Sequence, residues 1–145
     1  MMNSVLELLF RTSRIANETA LGRVRRQSGF DIRPAHSLLF PHITPEGTRI
    51  TEIAAKLGVS KQAVAKLVEE LVGFGWLERL PDPTDGRAKL VRFAPGALEH
   101  GLSHLKAYED EIKTELGEED FKHFRSLLAK VSSVVEELER QCIED

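Results

Sequence analysis

Apolar residues recur at helical spacing along most of the chain, and the breaks in that spacing divide it into parts. Ser4-Val5-Leu6-Glu7 has the Ser-x-x-Glu pattern, in which hydroxyl and carboxylate each satisfy a free backbone amide, so a helix is expected to start there. Val5, Leu8, Leu9, Ile15, Ala16 and Val24 follow at roughly helical spacing. Gly29 stops this helix after Arg23, Arg25 and Arg26, cations that suit the negative helix end. Pro34 fits the first position of a second helix, where its missing amide hydrogen costs nothing, and Leu38, Leu39 and Ile43 continue it to the turn Thr44-Pro45-Glu46-Gly47. Thr51 is the expected cap of a short helix carrying Ile53, Ala54 and Leu57, and Ser60 caps another just beyond Gly58. Leu57-Gly58-Val59-Ser60 therefore reads as the turn of a helix-turn-helix, with Gly permitting the bend and Val plugging the angle.

From Ser60 onward Val64, Leu67, Val68 and Leu71 form one stripe at i, i+3, i+4 and i+7, which predicts a buried face with Gln62, Lys66 and Glu69 opposite it. Lys61 in the first turn opposes the helix dipole; a nearby phosphate would offset that cost, and a solvated surface lysine is the alternative. Glu69 and Glu70 make the later turns acidic, so only the N-terminal part of this helix suits DNA. Gly73 and Gly75 close it. Trp76–Leu80 and Ala88–Phe93 then read as two strands around the turn-rich Pro81-Asp82-Pro83-Thr84-Asp85-Gly86. Such a hairpin, carrying Asp85, Arg87 and Lys89, is a wing whose long basic side chains can enter a narrow minor groove. After Pro95, Leu98, Leu102, Leu105, Ile112 and Leu116 trace one helix; beyond Gly117, Phe121, Phe124, Leu128, Val131, Val135 and Leu138 trace another.

The 145 residues carry 20 Lys+Arg and 23 Asp+Glu, a net charge of −3 that taken whole argues against a nucleic-acid partner. Divided along the chain the picture changes. Residues 1–32 hold five basic and three acidic side chains, residues 33–94 nine and seven, and residues 95–145 six and thirteen. The acidity lies in the last two helices, and the middle is mildly basic. One cysteine, Cys142, excludes a disulfide framework within one chain and a Cys-based zinc ribbon. No apolar run is long enough to span a membrane and the N-terminus lacks a leader pattern, so a cytoplasmic protein is expected. No Gly-rich phosphate loop, Gly-x-Ser-x-Gly elbow, His-Glu-x-x-His or Cys-x-x-Cys occurs, and no enzymatic function is expected.

The order of parts, with Ile53–Val64, Leu67–Leu71, Gly75–Arg79 and Asp82–Lys89 at their spacings, resembles the MarR family of bacterial winged helix-turn-helix transcriptional regulators. The fold expected is mainly α with a small β-hairpin wing: a single domain over 1–145, with the winged helix-turn-helix at 33–94 and a helical dimerisation region at 1–30 and 95–145. The resemblance implies a homodimer that binds double-stranded DNA, acts as a ligand-responsive repressor, and sets one recognition helix per subunit in successive major grooves. Ser60, Lys61, Gln62, Ala63 and Lys66 would then face DNA, with Arg87 in the minor groove braced by a salt bridge from Asp85, and Lys89 beside it. Gln62 suits an adenine edge, whereas Lys61 and Lys66 suit either phosphate or guanine. Arg49 is a further phosphate candidate. Two-fold symmetry implies a pseudo-palindromic operator with half-sites about 10 base pairs apart or a multiple of that. Arg33 departs from the family pattern, which usually has a small hydroxyl cap at that helix start.

Glu18, His36, His100 and His104 look like the ligand set of zinc-responsive members, with Glu99 nearby, so zinc is a candidate effector although no cofactor is required. His100 and His104 are four apart, a spacing that lets two imidazoles reach one metal. Two exposed histidines on an amphipathic helix are equally common, and His36 could instead line an organic-ligand cleft. A winged helix used only for protein contacts is the rival function.

Overall fold

In the first helix, α1 (Val5–Ser28), the hydroxyl half of the expected cap is in place: Ser4 Oγ accepts from the Glu7 amide at 3.1 Å, and Gly29 ends the helix in the left-handed region. The computed structural model describes residues 4–144; Met1–Asn3, on which the expectation about a leader falls, lie outside them. The chain divides into two compact units, Met1–Leu105 and Lys106–Asp145.

The second helix is shorter than its apolar spacing predicts. α2 covers only Pro34–Ser37 and is followed by a single 3-10 turn, Phe40–His42. Pro41 is the physical reason: it has no amide hydrogen to continue the ladder, and its ring opposes the carbonyl four residues back. A second departure is a strand too short for any alternation to reveal, β1 (Thr48–Arg49). It lies antiparallel to β3, with Thr48 opposite Val91. Gly47 makes this approach possible, because at φ 105° a Cβ there would stand 2.8 Å from Leu90 Cβ. Since Arg49 is still extended, α3 (Ile50–Leu57) starts immediately after it, and Thr51 lies inside the helix rather than capping it.

The helix-turn-helix forms as its turn predicts. Gly58, in the left-handed region, donates to the Ala55 carbonyl while Val59 donates to that of Ala54, the paired closure that lets α4 (Lys61–Gly73) start three residues later. The wing follows as β2 (Leu77–Pro81) and β3 (Lys89–Phe93), in a three-stranded sheet ordered β1-β3-β2. Ile53 of α3, Val64, Val68 and Leu71 of α4, and Val91 of β3 are fully buried together with Ile32 and Leu39. α4 and the wing are thus built on one core. Leu21 and Val24 of α1 join it.

α5 (Ala97–Leu116) and α6 (Glu118–Glu144) are separated by Gly117 at φ 86°, as the sequence predicts. Lys113 and Glu118 pair across that break at 3.0 Å. Along α6 the stripe Phe124, Leu128, Val131, Val135 and Leu138 lies exposed.

Candidate nucleic-acid interface

α4 has two chemically opposed faces. Val64, Val68 and Leu71 are fully buried, whereas Lys61, Gln62, Ala63 and Lys66 are exposed. Ser60, also exposed, accepts from the Ala63 amide through Oγ at 3.1 Å and so fixes the first turn from which Lys61 and Gln62 project. The five residues expected on the reading face are therefore all exposed, at the cap and in the first two turns of the helix.

The wing is braced at its base. Asp82 is buried, and its Oδ1 accepts from the Thr84 amide at 2.9 Å and the Thr84 hydroxyl at 2.8 Å. Its Oδ2 accepts from Arg49 Nε at 2.6 Å, and Arg49 also donates to Thr84 Oγ1 at 3.1 Å. The Thr84 amide, then its hydroxyl, then Arg49 hold the Asp82 carboxyl below its ordinary range against the opposing effect of burial. Arg49, expected as a phosphate contact, is thus engaged in holding β1 to the wing. Toward the tip, Asp85 Oδ1 accepts from the Arg87 backbone amide at 3.0 Å. Among the described ion pairs, the expected contact between the Asp85 carboxylate and the Arg87 guanidinium does not occur; Asp85 shapes the turn instead. Arg87 and Lys89 are exposed.

Behind α4 lies a polar group that sequence reasoning did not assemble. His36 is fully buried. Its Nδ1 accepts from the Arg33 amide at 2.9 Å, which leaves the proton on Nε2, 2.8 Å from Glu70 Oε2. Arg33 donates to the same oxygen at 2.6 Å. Hydrogen bonds from Arg33 and then His36 hold the Glu70 carboxyl below its ordinary range. Arg33 has donors only and cannot accept from the free amides of the first turn as a hydroxyl cap would, whereas the His36 imidazole accepts from the amide of Arg33 itself. The one signal for this group in the sequence is the unusual Arg33 before Pro34.

The four residues compared with a zinc site do not converge. Both ring nitrogens of His36 are engaged as above, and Glu18 pairs with Arg14 at 3.1 Å on the exposed side of α1. His100 and His104 do meet, with 3.1 Å between their Nε2 atoms. Among the described residues no group of three or more His, Cys, Asp and Glu side chains is placed to hold a metal. As arranged, these residues do not fit a four-ligand zinc centre, which needs a lone pair from each imidazole. A cavity of 710 Å³ does lie within the first unit, walled by Phe40, Trp76 and Phe93 and edged by Asn17, Ser37 and Arg92. Its aromatic wall is continuous, with Phe40 stacked on Trp76 at 6.0 Å and tilted against Phe93 at 5.7 Å. Arg92 is paired with Glu78 at 2.6 Å. Such a lining can hold a flat apolar molecule.

Among the described residues no helix is long and apolar enough to cross a membrane. The family model described as MarR family matches residues 30–88. The multiple antibiotic resistance protein MarR of Salmonella typhimurium is 31% identical over 84 residues, covering 55% of this chain and 58% of that protein. The protein of the same name from Salmonella typhi matches equally. The match thus spans little more than half the length of these curated relatives. Among solved structures, wild-type apo MarR from E. coli superimposes with a TM-score of 0.67 at 20% identity, covering 90% of this chain and 98% of that one. The transcriptional regulator Tm0710 from Thermotoga maritima gives 0.62 at 26% identity, covering 93% and 96%. Residues 30–88 therefore belong to the MarR family, and the fold around them is the one its solved regulators share.

Proposed function

We propose that this protein is a sequence-specific DNA-binding transcriptional regulator that acts as a homodimer on a two-fold duplex site. The observation that carries this reading is the N-terminal surface of α4, where Ser60, Lys61, Gln62, Ala63 and Lys66 are exposed while Val64, Val68 and Leu71 are fully buried. That surface offers an adenine-reading amide and two cations at the N-terminal half of a helix, the half that enters a major groove. Arg87 and Lys89, exposed near the wing tip, supply the minor-groove partner. A solved neighbour is named a multiple antibiotic resistance repressor, and repression is part of the proposal on that likeness.

The homodimer is supported by apolar surface left open. Val5, Leu6, Leu8 and Phe10 of α1 are exposed, as are Leu127, Val134 and Ile143 of α6 in addition to its main stripe. Apolar area of this extent is unfavourable in water, and a second copy of the same chain covers it symmetrically. The cavity beside Phe40 and Trp76 is the place proposed for an organic effector.

Selection of bound duplexes from random DNA tests the reading. A recovered two-fold sequence with half-sites about one helical turn apart is the expected result. Failure to retain any duplex at low salt would sink it in favour of a winged helix that contacts only protein.

A further inference from the structure

Glu70 stands four residues beyond Lys66 on α4, so the two lie on neighbouring parts of the helix surface, one turn apart. Whatever holds Glu70 fixes the angle at which Lys66, and the turn carrying Lys61 and Gln62, meet a duplex. The buried face of α4 does this only in part, because apolar packing is non-directional and tolerates small rotation and sliding. Base recognition tolerates far less, about 0.5 Å and 10–20°.

Hydrogen bonds supply the missing direction. Glu70 Oε2 accepts from His36 Nε2 and from Arg33. The imidazole is itself immobilised: it is fully buried, its Nδ1 is held by the Arg33 amide, and its ring meets Phe74 edge-on at 5.9 Å. Phe74 in turn stacks on Phe30 at 5.0 Å. A leucine would fill the same interior space without polar atoms needing partners, so what the imidazole contributes is orientation rather than burial. Its two nitrogens are both engaged, Nδ1 by the Arg33 amide and Nε2 by Glu70.

We infer that Glu70, held by His36 and Arg33, is the positioning residue of the recognition helix, and that it governs how well duplex sequences are told apart rather than how tightly phosphate is held. The inference rests on the DNA-binding reading above. Its test uses the full chain, a duplex recovered by selection on the unaltered protein, and a shuffled duplex of the same composition. Glu70→Ala and His36→Asn each lower the preference for the selected duplex by about tenfold, the size expected of one lost hydrogen bond to a charged group. The salt dependence stays as it was, because no phosphate contact is removed. Glu70→Gln retains most of the preference, since its amide oxygen still accepts from His36 Nε2. In the free protein, backbone amides late in α4 exchange faster in Glu70→Ala and His36→Asn than in Glu70→Gln, with thermal unfolding confirming that each variant is folded. Asn keeps an oxygen in reach of the Arg33 amide, so His36→Asn serves if Glu70→Ala does not fold. Unchanged preference in both variants, with the unaltered protein binding normally, overturns the inference alone. An equal loss for both duplexes with an altered salt dependence also overturns it. If the unaltered protein binds no duplex, the DNA reading fails and the inference fails with it.

Discussion

Arg49 donates through Nε to Asp82 Oδ2 at 2.6 Å, and this contact joins the start of α3 to the base of the wing. It ties the start of the helix-turn-helix to the wing. Because Asp82 is buried and accepts three hydrogen bonds, two from Thr84 and one from Arg49, its loss strands several polar groups at once.

Asp82→Ala is accordingly expected to lower the melting temperature by several degrees and to speed proteolysis within residues 81–89. The charge gives a pH signature. The folded carboxyl titrates below its ordinary value of 3.8, so its stabilisation is fully present above that value and is lost as pH falls through the lower folded value. Asp82→Asn therefore flattens the acid limb of the stability curve. Acid unfolding that is the same in Asp82→Asn and the unaltered protein would refute this role.

The exposed cations separate two kinds of contact. Lys61→Ala, Lys66→Ala and Arg87→Ala are each expected to weaken duplex binding, and a lysine that meets phosphate lowers the slope of log affinity against log salt by about one. Gln62→Ala instead relaxes preference at one base pair, by about 1–3 kcal/mol. The net charge of −3 sharpens the expectation. With few cations on the reading face, binding to unrelated sequence is weak, so discrimination depends on the correct two-fold site. Anisotropy titrations over a range of salt check both effects, and wild-type affinity in all three cation variants would favour a protein-contact module.

Open apolar surface on α6 makes a prediction about assembly. Val131 and Val135 are four apart and exposed, at 39% and 52%. Replacing both with Glu places two charges on a surface that the proposed dimer covers. Sedimentation is expected to show a monomer, with duplex affinity falling at least about a hundredfold as one of two half-sites loses its partner. A dimer that survives both substitutions would exclude this face from the interface.

Much of this architecture is legible in the sequence because its signals are local. Ser4, Gly29, Ser60 and Gly117 act within a turn of themselves, and each stands where its chemistry predicts. The buried face of α4 is equally legible, since the spacing of Val64, Val68 and Leu71 marks it out. What escapes is set by contacts between distant residues. β1 is two residues long and exists only because β3 lies beside it. Arg49, a basic residue just before a short helix, reads as a phosphate ligand until Asp82, 33 residues away, is brought against it. His36 looks like a metal ligand by its resemblance to zinc-responsive family members, and only the folded chain sets Glu70, 34 residues on, at its Nε2. Pro41 is the exception, a local signal that apolar spacing masked.

The His36 contacts lead to a prediction about zinc. For His36 to bind a metal through Nε2 it must give up Glu70 and lose the Nε2 proton while Nδ1 still faces the Arg33 amide, so two hydrogen bonds are at stake for one metal bond. His100 and His104 need no such rearrangement, because their Nε2 atoms already face each other at 3.1 Å. A single pair of imidazoles leaves a zinc ion with at least two positions for water, so the affinity falls far below that of a four-ligand site. Zinc added after chelation is therefore expected to change duplex affinity by no more than about twofold. Whatever zinc does bind is lost in a His100→Ala, His104→Ala double variant and kept in His36→Asn. Zinc titrations by calorimetry on the three proteins decide the matter: tight binding abolished by His36→Asn would mean that the imidazole leaves Glu70 for the metal.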